Sequence, residues 1–150
     1  MPPLDGARAV LEAADMSVEP ILQTHPRPLV ADAGVLARCI DECSECAAHC
    51  TICADASLAE DNVRDLERCL RFCLDCADAC VATARILARQ TDLDSAIRHR
   101  QLEAGLIACG ECAEECERHA HHHEHCRLCA DKCRRCERAC HDLLAALAPA

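Results

Sequence analysis

Tryptophan and tyrosine are absent from this chain, and Phe72 is its one phenylalanine. That excludes an ordinary core, in which large aliphatic and aromatic side chains carry most of the burial. Glycine (4) and proline (6) are scarce among the 150 residues, and no run of Val, Ile, Thr or aromatics reads as a strand. Basic residues are few: 16 Lys and Arg against 26 Asp and Glu leave a net charge of -10. This argues against a nucleic-acid partner, which wants a basic face, and against electrostatic attachment to an anionic membrane. No apolar run approaches the ~20 residues of a membrane span. The first residues, Met-Pro-Pro-Leu-Asp-Gly, show no basic stretch followed by an apolar one, so no secretory signal is visible. The expectation is a soluble, cytoplasmic protein, where thiols stay reduced.

What is abundant is cysteine, 17 residues, with Ala, Leu, Arg and Glu around it. These companions favour helix. The length suits one domain, and the composition predicts an all-α fold. Residues 1–28 read as an N-terminal arm with a short helix over Ala7 to Asp15, punctuated by Pro20, Pro26 and Pro28. Residues 29–150 read as four helical segments: about Leu29 to Leu58, from Asp61 or Asn62 to Gln90, from Asp92 or Asp94 to Ala120, and Glu124 to Leu147. Short connections make successive segments antiparallel neighbours, hence an antiparallel four-helix bundle.

Every segment carries a cysteine stripe. The first holds Cys39, Cys43, Cys46, Cys50 and Cys53; the second Cys69, Cys73, Cys76 and Cys80; the third Cys109, Cys112 and Cys116; the fourth Cys126, Cys129, Cys133, Cys136 and Cys140. The steps alternate between 3 and 4, the inward seam of a helix bundle. At about 100° per residue the first stripe stays within roughly 80° of arc and runs roughly 21 Å along the helix. All 17 cysteines can face one axis, lining a tube with sulfur.

An inert core is the bland alternative, since a free buried cysteine behaves as a small hydrophobe. Four matching stripes are hard to explain that way. Thiolate-only sites select Cu(I), Zn(II) or iron–sulfur clusters. Structural zinc wants closed sets of four ligands, and a continuous stripe does not divide naturally into such sets. Ferredoxin-type cysteine spacings differ from an uninterrupted 3-4 pattern. Cu(I) accepts two or three thiolates, and each Cu⁺ replacing one thiol proton leaves the interior neutral. The pattern therefore points to multiple Cu(I) ions per chain, stored and sequestered without catalysis, because no nucleophile–base pair or oxyanion site is visible. The alternatives are a thiol–disulfide redox buffer, whose reactive cysteine needs solvent access and a lowered pKa, and a zinc-buffering protein.

The two ends of the tube differ. His119 and His123 continue the stripe of Cys116, and counting back from Cys126 puts His122 on the fourth stripe. Ser57, Asn62 and Asp65 project toward the same end, with Asp61 beside them, while His121 and His125 read as solvated loop residues and His49 as a flank residue. At the other end Leu36, Leu87, Leu102, Leu144 and Leu147 form an apolar plug, and Gly105 leaves a gap in the third stripe. Ions are expected to pass the histidine end, where imidazole is a more labile ligand than thiolate.

Four cysteine-striped segments, three of them containing Cys-x3-Cys-x2-Cys-x3-Cys, no export signal and histidines at one end resemble the copper storage protein family, in its cytosolic branch, over residues 29–147. The resemblance implies a homotetramer of four-helix bundles that each hold many Cu(I) ions, with the 17 cysteines as ligands, His119 and His123 as entrance histidines, and an acidic residue at the entrance, Asp61 or Asp65. Copper donor and acceptor proteins would be its partners.

Overall fold

The computed structural model describes residues 17–92 and 94–147. The expected helix over Ala7 to Asp15 lies outside them. The described residues form five α-helices and one 3-10 turn: α1 (Glu19–Gln23), α2 (Ala33–Leu58), the turn Val63–Leu66, α3 (Glu67–Leu87), α4 (Ala96–His119) and α5 (Glu124–Leu147). There is no strand among them, and no helix is long and apolar enough to cross a membrane.

Local chemistry sets the helix starts. Asp32 caps α2, its carboxylate accepting from Gly34 N at 2.9 Å and Val35 N at 3.2 Å, as a short acceptor side chain does where backbone N–H groups lack partners. Ser95 caps α4 through Arg98 N at 3.4 Å. The expected caps Asp92 and Asp94 lie before it, in the connection, where Asp92 instead accepts from Asp94 N. Asp61 and Asn62 do not open an α-helix directly: the 3-10 turn intervenes, and Leu66 at its end is buried.

Each of α2–α5 packs mainly against two neighbours, in the ring α2–α3–α4–α5. With short connections between successive helices, this is the expected antiparallel four-helix bundle. α1 lies against α2, with Leu22 buried and Asp41 of α2 accepting from Ser17 Oγ at 2.7 Å and Val18 N at 3.2 Å.

The closed end is plugged by Leu36, Leu87, Leu102 and Leu143, all at most 1% exposed. Leu143 takes the place expected for Leu144, which is only partly buried together with Leu147. The alternation of steps explains this: a step of 3 from Cys140 follows the step of 4 that precedes it. The gap expected at Gly105 is filled. Thr83, the next stripe position after Cys80, occupies it so closely that a Cβ on Gly105 would lie 2.7 Å from Thr83 Oγ1.

Candidate metal centre

All 17 cysteines are free and buried, each at most 1% exposed. The four stripes meet as the 3-4 spacing requires. From the plug, sulfur follows sulfur: Cys39–Cys140 at 3.7 Å, Cys140–Cys43 at 3.8 Å, Cys43–Cys136 at 3.6 Å and Cys136–Cys80 at 4.0 Å. The path continues through Cys109 and Cys76 to Cys46, then Cys133 and Cys50, in steps of 3.5 to 4.0 Å. From Cys50 it branches to Cys129 at 3.7 Å and Cys112 at 4.0 Å. It then passes Cys73, Cys116, Cys69 and Cys126 in steps of 3.5 to 4.0 Å. Cys53 joins through His125, whose Nδ1 lies 3.4 Å from Cys53 Sγ and 3.6 Å from Cys126 Sγ.

These thiols divide into sets after all. Cys46, Cys76, Cys80 and Cys109 form one tetrad whose sulfurs all lie within 4.8 Å of one another, and Cys50, Cys112, Cys129 and Cys133 form another. Two more tetrads, Cys46–Cys50–Cys76–Cys133 and Cys53–Cys73–Cys116–Cys129, share members with these, and Cys39, Cys43 and Cys140 form a triad. A stripe read along one helix does not show such sets, because each tetrad draws on three or four helices.

Touching thiols do not release protons alike. Contacts with neighbours, Cys112 first, raise Cys50 above the ordinary thiol range and lower Cys129 below it. Where two sulfurs touch, one gives up its proton first while the other keeps it and donates a hydrogen bond. Contacts with Cys53 and Cys69, together with burial, push Cys126 up. A metal ion replaces protons at such sites, so binding is coupled to their release.

At the open end Glu60 accepts from His123 Nδ1 at 3.0 Å and from His125 Nε2 at 2.9 Å. The carboxylate thereby orients the His125 ring and aims its Nδ1 at Cys53 and Cys126. Hydrogen bonds from His125 and His123 hold Glu60 below the usual carboxylate range. Burial pulls His125 down, but its contacts with Cys53 and Glu60 outweigh burial and raise it. Asn62 Nδ2 lies 3.5 Å from His123 Nε2. His119 sits beside Glu115, with 3.4 Å between Nε2 and Oε1.

The structure thus keeps His119 and His123 at the open end and half-buried to buried. His121 and His122 are exposed in the turn, so His122 does not join the fourth stripe. The helix begins only at Glu124, and counting back past a helix start loses its meaning. Asp61 and Asp65 are exposed; the carboxylates that meet the histidines are Glu60, at His123 and His125, and the buried Glu115, at His119. His125 and Glu60 escaped the sequence reading because His125 lies off the stripe by one residue and Glu60 follows the end of α2, where periodicity carries no signal.

Fold and site define a thiol-lined, metal-binding four-helix bundle. The sequence profile of the copper storage protein family matches residues 33–145, and the chain belongs to that family. Among solved structures it is similar to the copper storage protein Ccsp from Streptomyces lividans loaded with 10 copper equivalents, at 48% identity and a TM-score of 0.84, covering 87% of this chain and 99% of that one. A second similar structure concerns copper loading to a cytosolic copper storage protein of the same organism, with five coppers, at 51% identity and a TM-score of 0.75, covering 77% and 96%. A Ccsp variant with two histidines replaced by alanine matches at 49% identity and a TM-score of 0.77, covering 79% and 99%. No curated protein matches significantly.

Proposed function

We propose that this protein stores and sequesters many Cu(I) ions in the cytoplasm, on the 17 cysteine thiolates that line its bundle, without catalysing a reaction. The observation that carries the reading is the sulfur path itself, unbroken from Cys39 at the plug to Cys126 beneath the histidines, in steps of 4.0 Å or less. Cu(I) takes two or three soft ligands, and adjacent sulfurs along such a path supply them repeatedly. The relatives from Streptomyces lividans, described as loaded with five and 10 copper equivalents, support the assignment.

In this reading His119, His123 and His125 form the passage, with Glu60 orienting two of them, and Asp61 and Asp65 stand outside as acidic groups that raise the local concentration of cations. Residues 29–150 are the storage unit and residues 1–28 an arm. Four copies assemble through outer helix faces, where Leu74 and Val81 are seven residues apart and both exposed. Copper donor and acceptor proteins meet the open end. The test is anaerobic titration with Cu(I): saturation near ten or more ions per chain is expected on the relatives' loading, and saturation at one or two would overturn the reading. Light scattering of the full chain checks the tetramer.

A further inference from the structure

The thiols are spaced for a second kind of cargo. A tetrahedral tetrathiolate zinc centre has Zn–S bonds of about 2.3 Å, hence sulfur–sulfur edges of about 3.8 Å. In the tetrad Cys46–Cys76–Cys80–Cys109 the edges 46–76, 76–80, 76–109 and 80–109 are 4.0, 3.8, 3.8 and 3.5 Å. In the tetrad Cys50–Cys112–Cys129–Cys133 the edges from Cys50 are 4.0, 3.7 and 3.5 Å. Both sets are assembled before any metal arrives, each from three helices and each with one i, i+4 pair. We propose that these two tetrads bind thiophilic divalent cations, Zn(II) or Cd(II), as discrete four-sulfur centres.

The exchange is balanced without electron transfer. One M²⁺ replaces four S–H protons, which leave to solvent, and the product is [M(SR)₄]²⁻. Such a buried dianion needs compensation, and the neighbours supply it. Cys136 lies 4.0 Å from Cys80, Cys73 lies 3.7 Å from Cys112, and Cys116 lies 4.0 Å from Cys112. These thiols keep their protons and donate S–H hydrogen bonds to the coordinated sulfurs, the outer-layer support that metal thiolates use.

The same charge sets a ceiling. These four tetrads overlap: Cys46–Cys50–Cys76–Cys133 shares Cys46 and Cys76 with the first proposed centre and Cys50 and Cys133 with the second, and Cys53–Cys73–Cys116–Cys129 shares Cys129 with the second. At most two can be filled together, and Cys46 of one lies only 3.7 Å from Cys133 of the other. A second dianion therefore forms against the repulsion of the first. Cu(I), neutral per thiolate, meets no such ceiling.

The experiment titrates the reduced, full-length apoprotein anaerobically with ZnSO₄ and, separately, CdCl₂. X-ray absorption of the zinc form and cadmium NMR of the cadmium form report the ligands. One or two ions per chain, with four sulfurs at about 2.3 Å from zinc and no metal–metal coupling, is the expected result. No binding, three or more ions, bridged clusters, or nitrogen and oxygen ligands would each overturn the proposal. Cys46→Ser with Cys129→Ser removes a member from all four tetrads and should weaken zinc binding at least tenfold; undiminished four-sulfur binding in that variant, with helicity checked by circular dichroism, would overturn it too. Should the variant fail to fold, the wild-type coordination number still decides. Cu(I) capacity, measured on the same preparation, is a separate number, so the storage reading and this one can fail independently.

Discussion

At the closed end one glycine and one threonine settle where the metal tube stops. Thr83 continues the stripe of α3 but carries a hydroxyl, which donates to Ala79 O at 2.7 Å and accepts from Gln101 Nε2 at 3.1 Å. Its side chain fills the space that a side chain at position 105 would need. Gly105→Ala should therefore destabilise the bundle by about 1–3 kcal/mol, the usual cost of overpacking. Thr83→Ala in the same chain should restore much of that loss, since neighbouring sites couple. Urea denaturation of the two single variants and the double variant measures this; additive losses would show that the two residues do not share the space. At the open end His119→Ala with His123→Ala should preserve most of the Cu(I) capacity and change the rate of loading or of removal by a chelator. Adding His125→Ala should change that rate further, because its Nδ1 alone touches both Cys53 and Cys126. Stopped-flow loading and chelator competition give the rates; wild-type values in both directions for the triple variant would show that ions do not pass there.

Between elements, the outer seam of α2 and α5 is held by a lysine that should by habit be exposed. Lys132 is 4% exposed, contacts Glu45 and lies 2.7 Å from Glu42, while Arg135 donates to Glu42 at 3.1 Å. Burial pulls Lys132 down, but the two glutamates outweigh it and raise it; the Lys132 contact lowers Glu45. The signs fix the pH window. A lowered Glu45 contributes stability above its unfolded pKa and loses it as pH falls through the folded value. A raised Lys132 contributes below its unfolded pKa and loses it as pH rises through the folded value. The seam is thus firm across neutral pH and weakens at both extremes. Lys132→Met should cost about 1–3 kcal/mol at pH 7, mostly by leaving Glu42 with Arg135 as its remaining partner, and should flatten the fall in stability above pH 10, near the ordinary lysine value of 10.5. Thermal melts from pH 4 to 11 test it; parallel curves for variant and wild type would rule the seam out as the source.

For the molecule as a whole, the interior rests on cysteine, alanine and a few leucines, so apolar burial per residue is modest. Metal that binds only the folded state adds to this. A single site at a thousandfold excess over its Kd contributes about 4 kcal/mol, and a protein of this size gains roughly 2–4 °C per kcal/mol. Loading with Cu(I) should raise Tm by well over 10 °C as a rough figure, with several sites filled. Calorimetry of apo and loaded protein under anaerobic conditions is the measurement, and an unmoved midpoint would exclude copper from the interior.

The sequence by itself determined the four bundle helices and their order, because a stripe with alternating steps of 3 and 4 has one solution: an inward seam on each of four helices; the short helix Glu19–Gln23, which carries no stripe, and the turn Val63–Leu66 came only with the structure. The sequence also determined that all 17 cysteines are buried and that one end bears histidines while the other bears leucines. Contacts across helices were left to the tertiary structure. Each tetrad takes its sulfurs from three or four helices, so no single stripe reveals it. Thr83 against Gly105 is likewise a meeting of α3 with α4. Leu143 in place of Leu144 was within reach of the sequence, had the alternation been carried one step past Cys140. His125 and Glu60 were not: both lie at helix ends, where the period that orders the rest of the chain stops, and only the turn geometry of the folded bundle brings the carboxylate 2.9 Å from the imidazole.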